Sequence, residues 1–496
     1  MIIKSDQDQI QSYLSDAANY RGYCDAVYFP ESESEIVEII SEANRLGTPV
    51  TIAGNGTGLT GARVPEGGIV LSTEKMNRII EINLKEKYAI VQPAVLVKEF
   101  KQVVENNNLF YPPDPTEQNC FIGANIATNA SGAKTFKYGP TRSFVLALNV
   151  VLPNGETVKL ERGRQKTDNY RLNLITENGN KIVCQIPDYE MPQTKHAAGY
   201  FCKKNMDAVD LFIGSEGTLG VISGIKLKLL DKPQHILSSV VFFDVEQNAL
   251  NFLYNARNLS LAERKKITGK SIDALALEFF DKNALSFLIE DFPRIPTKAE
   301  AAVWFEQEYV ESNFDFLMNE WTDLIDEFKG DENNSWFASN EKERENFKDF
   351  RHAVSWKVSE YIAQKNLLKV GTDTAVPHRY FDEFYHYSKN LVRESTIEFV
   401  SYGHFGNSHL HLNMLPKNEV EYKKAKRLYE KILTKAVELK GTISAEHGIG
   451  KLKRNYLLKM YGKENIIKMA KLKKCLDPNL ILGLGNIIEP SIMKNI

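Results

Sequence analysis

The 496-residue sequence has only five cysteines, and they do not form a cluster. They lie far apart and include no Cys-x-x-Cys pair: Cys24, Cys120, Cys184, Cys202 and Cys475. Zinc ribbons and iron–sulfur clusters need closely spaced cysteines, and small secreted domains need many of them. The sequence therefore argues against these three classes, and it excludes an iron–sulfur relay for electrons.

Long apolar runs and an excess of one charge are also missing. No stretch of eighteen apolar residues occurs, and residues 1–9 lack the apolar core of a signal peptide. The 62 basic and 64 acidic residues give a formal charge of −2, which argues against a nucleic-acid partner. We expect a globular protein of two or three domains in the reducing cytoplasm. Peripheral attachment to the inner membrane stays open.

Histidine, in contrast, is concentrated near the C-terminal end. Three of the nine histidines are His404, His409 and His411, within the polar–apolar alternation of residues 397–415. This alternation predicts a β-hairpin. With a two-residue turn at 407–408, His404 and His411 would face each other, with Cβ atoms about 4.5–5.5 Å apart. Two imidazoles at that separation can share a cation.

A Glu-His pair further along the chain completes the candidate site. Glu446 could supply an oxygen ligand, and His447 would remain free to accept a proton. The glycines at 448 and 450 allow close backbone approach. A divalent ion with an open coordination position would acidify a bound hydroxyl or water. The alternative is that these are ordinary packed or surface histidines, as single histidines usually are.

Three segments rich in small residues form the second pattern. Residues 54–61 contain Gly-x-Gly-x-x-Gly, but Pro65 and two glycines follow where a dinucleotide-binding fold needs a helix. The Rossmann interpretation therefore fails, although successive glycines can still form a nest of N–H groups for phosphates. Residues 123–132 and 213–220 are similar segments. Together they suggest a large planar ligand lying against the backbone, although each alone is also consistent with tight packing.

Periodicity and breakers predict a mixed α and β organisation, with a domain boundary at residues 231–233. The polar stretch 163–195 lacks a clear period and is interpreted as an insertion or mobile loop. Predicted helices are 31–47, 97–106, 311–329, 340–364, 417–440 and 464–476. Predicted strands are 49–53, 69–71, 79–82, 89–92, 221–230, 240–243, 274–280 and 301–309, with a hairpin of 146–153 and 156–161.

Taken together, the motifs resemble the vanillyl-alcohol-oxidase-like family, over about residues 25–488. Its PCMH-type FAD domain is matched by Ala53–Gly61, Pro113-Asp-Pro115, Gly123–Gly132, Lys137-Tyr-Gly139, Lys195-x-x-x-Gly199-Tyr200 and Gly214–Gly220. The D-2-hydroxy-acid dehydrogenase branch is matched by Ala276-Leu-Glu-Phe279, Thr372-Asp-x-x-Val-Pro377, His404 with His411, and Glu446-His447-Gly-x-Gly450.

The resemblance implies an α+β fold. A PCMH-type FAD-binding domain of two α/β subdomains would span residues 1–230, and a substrate (cap) domain with an antiparallel sheet flanked by helices would span 231–415. Residues 416–496 would form a helical segment that packs on the FAD domain and completes the active site.

The resemblance also implies a set of site residues. His404, His411 and Glu446 would hold a divalent ion, zinc or manganese, and His447 would be the catalytic base. Arg351 would bind the substrate carboxylate, with Lys369 as a further substrate contact. The residues around non-covalent FAD would be Gly54, Asn55, Gly56, Thr57, Gly58, Thr60, Gly61, Pro113, Gly123, Asn125, Thr128, Asn129, Gly132, Gly217 and Val221.

The sequence departs from the branch at several positions. The usual Gly-Asp-Gly-Asn between the two histidine ligands is Gly406-Asn-Ser-His409, so His409 is either an extra ligand or an influence on substrate choice. The lysine expected fifteen residues after Arg351 is Asn366, and Lys369 is the nearest candidate. The stretch 163–195 is longer than expected, and the usual Asn-Pro-Gly-Lys near the end is Gly483-Leu-Gly-Asn486.

The resemblance predicts oxidation of a D-2-hydroxy acid, with D-lactate, glycolate and D-2-hydroxyglutarate as candidates. An electron-transfer flavoprotein, a quinone, a cytochrome or another subunit would accept the electrons, and a homodimer stays open. The alternatives are a flavin-dependent ether-lipid (alkylglycerone-phosphate) synthase, a metal-dependent hydrolase, and a catalytically silent FAD-binding subunit of a larger complex.

Overall fold

The computed structural model describes residues 1–266, 269, 271–365 and 369–496, and its first sheet is mainly parallel. The strand order is β1-β2-β4-β3, and only β1 is antiparallel to its neighbour. The strands are β1 Ile2–Lys4, β2 Ala26–Phe29, β3 Val50–Ala53 and β4 Ile69–Ser72. Helix α2, Glu33–Leu46, joins β2 to β3. Its N-cap is Ser32, and it ends as predicted at Gly47, which has φ 68°.

The second sheet is antiparallel and lies beside the first in sequence and in space. Its order is β5-β6-β12-β8-β9. Its strands are β5 Ile79–Asn83, β6 Tyr88–Val91, β8 Val145–Val151, β9 Thr157–Glu161 and β12 Val221–Lys228, and a short pair joins β7 Leu109–Phe110 to β13 Leu230–Asp231. The helices of this part are α3 Val97–Asn106, α4 Ile122–Thr128, α5 Thr135–Tyr138 and α6 Val209–Phe212, whereas α1 Gln7–Ile10 packs on the first sheet. The strands predicted between residues 49 and 92 are confirmed to within one residue at each end.

The stretch 163–195, which the sequence predicted to be an insertion or a mobile loop, contains regular secondary structure that was not predicted. It contains an antiparallel hairpin of β10 Arg171–Ile175 and β11 Lys181–Gln185. Leu172, Leu174 and Cys184 are buried on one face of this hairpin, and a disulfide joins Cys184 to Cys475. Short strands with polar outer faces show little apolar periodicity, and the two cysteines are 291 residues apart, so neither feature stood out in the sequence.

The second half of the chain builds a large antiparallel sheet. Its order is β17-β14-β16-β15-β20-β21-β18, with β19 also paired to β21. Strands β15 and β16 lie in the middle and are buried on both faces along most of their length. The strands are β14 His235–Phe243, β15 Ala274–Asp281, β16 Ala301–Tyr309, β17 Trp336–Phe337, β18 Val370–Gly371, β19 Thr374–Ala375, β20 Phe399–Gly403 and β21 His409–Met414.

Helices cover this sheet, and three of them were not predicted. Those of the second half are α7 Glu246–Lys266, α8 Lys282–Leu288, α9 Phe314–Glu327, α10 Glu341–Gln364 and α11 Phe381–Arg393. The long helices α9 and α10 match the predictions. Helices α7, α8 and α11 were missed, although in α7 the buried Ala249, Leu253 and Ala256 recur at helical spacing.

The C-terminal segment contacts both halves of the molecule. Its helices are α12 Glu419–Glu438, α13 Arg454–Leu476, which is interrupted at Gly462, and α14 Pro490–Met493. Helix α12 packs against α11 and β18, and α13 packs against β11. Residues 481–483 then run beside β3, where the Val50 N–H donates to the Ile481 carbonyl at 2.7 Å. The loop between α12 and α13, which carries Glu446 and His447, is therefore held between the two halves.

The disulfide should contribute measurably to stability because it closes a loop of 291 residues in the unfolded chain. We expect Cys184→Ser to lower the free energy of unfolding by about 2–5 kcal/mol, measured by urea denaturation. Cys475→Ser and the double variant should show the same loss, and reduced wild-type protein should match them. Equal urea midpoints for oxidised and reduced wild-type protein would rule out this contribution.

Candidate active site

The hairpin of β20 and β21 brings the clustered histidines together, but not through the turn predicted. His411 is paired with Tyr402, so His404 does not lie opposite it. The connection instead contains a 3-10 turn at Phe405–Asn407, and Ser408 has a positive φ of 54°. The predicted two-residue turn at 407–408 was wrong because alternation does not define the length of a loop. The longer connection folds His404 back, and the rings of His404 and His411 lie 5.4 Å apart.

Glu446 lies between these two imidazoles. His404 Nε2 is 3.4 Å from Glu446 Oε2, and His411 Nε2 is 3.4 Å from Glu446 Oε1. The nearest partner of each other ring nitrogen is an acceptor: His404 Nδ1 is 2.7 Å from Glu278 Oε1, with the Arg351 Nη2 donor farther away at 3.3 Å, and His411 Nδ1 is 3.2 Å from the Thr372 carbonyl. The tautomer with its hydrogen on Nδ1 satisfies these acceptors and turns an Nε2 lone pair towards the Glu446 carboxylate.

This arrangement fits a divalent cation. Two imidazole lone pairs and a carboxylate converge, although all are acceptors and cannot bond to one another. Metal–ligand bonds of about 2.0–2.2 Å in a tetrahedral site put neighbouring ligand atoms about 3.3–3.5 Å apart. The separations between these nitrogen and oxygen atoms have that size. An ion at this position would leave coordination sites open towards the substrate.

Glu278 connects the candidate ion site to Arg351. Its Oε1 accepts from His404, and its Oε2 accepts from Arg351 Nε at 3.2 Å. Burial acts to raise the pKa of Glu278, but its contacts with His404 and Arg351 outweigh burial and lower the pKa to about 2. Arg351 Nη1 also donates to Thr116 Oγ1 at 2.9 Å. One carboxylate thus fixes the orientation of both a proposed ligand and the proposed substrate-binding arginine.

Asp373 orients His447 in the way that Glu278 orients His404. The two oxygens of Asp373 accept from the backbone N–H groups of Glu446 and His447, at 3.2 and 3.1 Å. His447 Nδ1 lies 3.4 Å from Asp373 Oδ2, which leaves Nε2 directed towards the cluster, 3.6 Å from Glu446 Oε1. Burial lowers the pKa of His447 to about 4, so the imidazole is neutral at pH 7 and able to accept a proton.

A cavity of about 450 Å³ opens onto this cluster. It is lined by the glycine-rich turn at residues 55–59 and by Asn125 and Thr128 of α4. It is also lined by Arg351, His404, His411, Glu446 and His447, with Phe280, Trp356, Lys369 and Tyr402. The predicted substrate, base and metal residues therefore share one space with six of the predicted cofactor residues. Asn366 lies outside the described residues.

The cavity fits a large cofactor at the glycine-rich turn. A Cβ added to Gly58 would meet no atom within 4 Å, so the turn presents bare backbone to open space. Asn125 also lines the cavity, and its buried Nδ2 has no hydrogen-bond partner among the described residues. A free donor and exposed backbone amides suit the oxygens of a flavin and its phosphates. No helix begins within residues 54–68, which agrees with exclusion of the Rossmann interpretation.

Not every predicted cofactor residue lines this cavity. Asn55, Gly56, Thr57, Gly58, Asn125 and Thr128 do so within the described structure, whereas Gly54, Thr60, Gly61, Pro113, Gly123, Asn129, Gly132, Gly217 and Val221 do not. Chain packing or backbone conformation explains why several of these nine positions hold the residues they do. A Cβ on Gly132 would lie 1.7 Å from the Asp114 carbonyl oxygen, and one on Gly123 would lie 2.6 Å from the Pro93 side chain. Asn129 ends α4 in the left-handed conformation, with φ 50°.

The glycine-rich turn is joined directly to the loop that carries His447. Thr60 accepts the backbone N–H of Lys451 at 2.9 Å, and a Cβ on Gly450 would lie 2.1 Å from the Thr60 carbonyl oxygen. Glu216 accepts the N–H groups of Ile449 and Gly450, at 2.7 and 2.6 Å. The first and third small-residue segments therefore both help to place the loop of Glu446 and His447.

Sequence reasoning missed the residues that support the cluster. Glu278, Asp373 and Lys195 occurred only within motifs of the resemblance, and no role was assigned to them. Each is a buried charged residue next to a predicted site residue, and burial of this kind is rare for unpaired charges. Burial cannot be read from a single sequence, so the motif positions were the only available signal.

Comparisons with known proteins find flavin-linked oxidases over nearly the whole chain. Residues 24–161 match the family model described as FAD binding domain, and residues 247–487 match the model described as FAD linked oxidases, C-terminal domain. The glycolate oxidase subunit GlcD of Bacillus subtilis (strain 168) is 30% identical, over 98% of this chain and 93% of the relative. A D-lactate dehydrogenase of Anaerostipes hadrus is 29% identical, over 92% of this chain and 88% of the relative.

A solved structure shows the same fold at low sequence identity. An alkyldihydroxyacetonephosphate synthase superposes with a TM-score of 0.66 at 16% identity, over 97% of this chain and 81% of that chain. Among the described residues, no helix has the length and apolar character needed to cross a membrane.

Gly58 and Gly132 form a matched pair for testing where the cofactor binds. Gly58→Ala should leave the stability of the cofactor-free protein unchanged, because the added methyl group meets open space. It should weaken FAD binding at least tenfold, measured by fluorescence titration of the apoprotein. Gly132→Ala should instead destabilise the cofactor-free protein by about 1–3 kcal/mol, because the Asp114 backbone must move. FAD binding to Gly58→Ala with wild-type affinity would contradict this placement.

Proposed function

We propose, since this chain belongs to the family of FAD-linked oxidases, that it oxidises a D-2-hydroxy acid to the corresponding 2-oxo acid. One observation carries the proposal. The candidate base, the candidate ion ligands and a buried arginine all face one cavity, and a bare glycine-rich turn lines the same cavity. These are the groups that such an oxidation needs, and no other charged cluster in the described residues opens onto this cavity.

The chemistry divides between bound groups and the residues of the chain. Bound FAD would accept two electrons with the Cα hydrogen, and a divalent ion held by His404, His411 and Glu446 would lower the pKa of the substrate hydroxyl. His447 then accepts the hydroxyl proton at Nε2, since Asp373 is placed to hold Nδ1. Glu278 keeps the Nε2 lone pair of His404 directed at the ion site, because it takes the Nδ1 hydrogen.

Arg351 orients the substrate. Its guanidinium lies beside His404 on the cavity wall, and Glu278 and Thr116 restrict its movement. A carboxylate bound there, with the hydroxyl at the ion site, leaves Cα with only one face towards the glycine-rich turn. Orientation of this kind supplies much of an enzyme's rate and determines the preferred enantiomer.

The remaining substituent of the acid would contact the wall formed by Phe280, Tyr402, Trp356 and Lys369. Trp356 is 59% exposed, and Lys369 is also exposed, so this end of the cavity is open and accepts side chains of different length. D-Lactate, glycolate and D-2-hydroxyglutarate are the candidate class, and Lys369 would favour an acid with a second carboxylate.

We assign a role to each part of the chain. Residues 1–230 bind the cofactor, residues 231–415 supply Arg351 and the two histidine ligands, and residues 416–496 supply Glu446 and His447. Electrons would leave to an external acceptor, an electron-transfer flavoprotein, quinone or cytochrome. One pair of cysteines forms a disulfide and the other three are separate and buried, which leaves no ligand set for an iron–sulfur relay.

A visible spectrum of the purified protein tests the proposal. We expect flavin absorbance that is bleached on anaerobic addition of one of D-lactate, glycolate or D-2-hydroxyglutarate, and not by L-lactate. A yellow protein that none of these acids bleaches would refute the dehydrogenase assignment and favour the synthase-like alternative or a silent flavin subunit. A colourless protein that cannot be loaded with FAD would favour a hydrolase.

His447→Ala should separate cofactor binding from chemistry. The variant should retain FAD and bound ion, and flavin reduction should slow by about 10²–10⁴-fold because the proton has no acceptor. Stopped-flow absorbance gives the rate of reduction. His386→Ala, which changes a partly exposed histidine on α11, should reduce its flavin at the wild-type rate. Fast bleaching in His447→Ala would show that another residue is the base.

A further inference from the structure

Lys195 places an ammonium group directly against the candidate ion site. Its Nζ donates to Glu446 Oε2 at 2.7 Å, and its side chain is only 3% exposed. The same oxygen is 3.4 Å from His404 Nε2 and accepts from Ser131 Oγ at 3.4 Å. The carboxylate that would bind a divalent cation therefore already has a fixed positive charge beside it.

His409 holds this ammonium from the other side. Its Nε2 is 3.0 Å from Asp373 Oδ1, and a carboxylate only accepts, so Nε2 carries the hydrogen. The lone pair on Nδ1 then accepts from Lys195 Nζ at 3.3 Å. Both nitrogens of His409 are thus in use, which argues against His409 as an additional ligand. The fourth imidazole of the cluster instead supports the lysine.

Lys195 reaches Glu446 from behind the substrate cavity. In the described structure Lys195 does not line the substrate cavity. It lines a second cavity of about 290 Å³, which Thr194 and His196 also border. The neighbouring backbone is anchored, because Ala197 N–H donates to the Ser444 carbonyl at 2.9 Å and Thr194 Oγ1 donates to the Val376 carbonyl at 3.3 Å. Lys195 is therefore positioned to act on Glu446 without touching the substrate.

We propose that Lys195 is a positioning residue that shares Glu446 with the divalent ion and lowers the affinity of the site for that ion. The inference rests on the proposed ligand set of His404, His411 and Glu446. Without the ion, the ammonium compensates a buried carboxylate that would otherwise lie between two imidazole lone pairs. With the ion bound, it holds Oε2 in place and repels the second positive charge.

Removal of Lys195 has two effects of opposite sign on the affinity of the site for the divalent ion. Loss of an orienting contact typically weakens metal binding by about 10- to 100-fold. Removal of a positive charge within a few ångströms of a dication, in a site shielded from water, strengthens binding by more than that. The net result should be tighter binding of the ion, which distinguishes a charged neighbour from a purely structural one.

The test compares Lys195→Met with Lys195→Arg in FAD-loaded protein stripped of metal by a chelator. Titration with Mn²⁺, followed by electron paramagnetic resonance, measures affinity without reference to activity. Lys195→Met should bind Mn²⁺ at least tenfold more tightly than the wild type, whereas Lys195→Arg, which retains the charge, should remain close to wild type. Lys468→Met removes a lysine from an exposed ion pair and should change nothing.

Thermal unfolding gives a second readout. In chelator, Lys195→Met should melt below the wild type because Glu446 is uncompensated, and Mn²⁺ should raise its melting temperature by more than it raises that of the wild type. If the variant folds only with the ion, it can be purified loaded, and it should then lose Mn²⁺ to a chelator more slowly than the wild type.

The outcomes separate this inference from the proposed function. Equal or weaker Mn²⁺ binding in Lys195→Met would overturn the role of Lys195 while leaving the ligand set intact. The ligand set itself would be refuted if His404→Ala bound Mn²⁺ with wild-type affinity, or if the wild type bound neither Mn²⁺ nor Zn²⁺. The inference about Lys195 would then fail as well.

Discussion

The convergence of acceptor atoms around Glu446 is the constraint on which the active-site region depends. The Nε2 atoms of His404 and His411 each lie 3.4 Å from a Glu446 oxygen, and with the ring hydrogens on Nδ1 all three groups present lone pairs, an arrangement that positive charge stabilises. His404 and His411 come from the large antiparallel sheet, Glu446 comes from the C-terminal loop, and the lysine beside them comes from the N-terminal half. Holding these groups in one place requires the two halves and the C-terminal segment to be packed together.

Three buried carboxylates of this region are each paired with a fixed cation. Glu278 pairs with Arg351, Asp373 with Lys453, and Glu446 with Lys195. Breaking a buried pair of this kind leaves an uncompensated charge, which is far more costly than the net gain from forming the pair. Such pairs contribute precision of geometry more than stability. Each of the three carboxylates is also within 3.4 Å of a histidine of the site.

The small residues have two separate roles that look the same in the sequence. Gly58 leaves open space beside the backbone, as a cofactor that lies against the backbone requires. Gly132 and Gly450 instead allow two backbone segments to approach within van der Waals distance. The second role joins the glycine-rich turn to the loop of His447. The same residue type therefore serves cofactor contact at one position and chain packing at another.

The sequence by itself determined the mixed fold, most of the long helices and central strands, and which residue types belong to the site, because periodicity and motif spacing are local properties. It did not determine the turn after His404, the hairpin within 163–195 or the pairing of Cys184 with Cys475. The length of a loop and contacts between distant segments depend on what packs around them. For the same reason the roles of Glu278, Asp373 and Lys195 emerged only from the tertiary structure. A charged side chain acquires a role of this kind when the folded chain removes it from water and places fixed partners beside it.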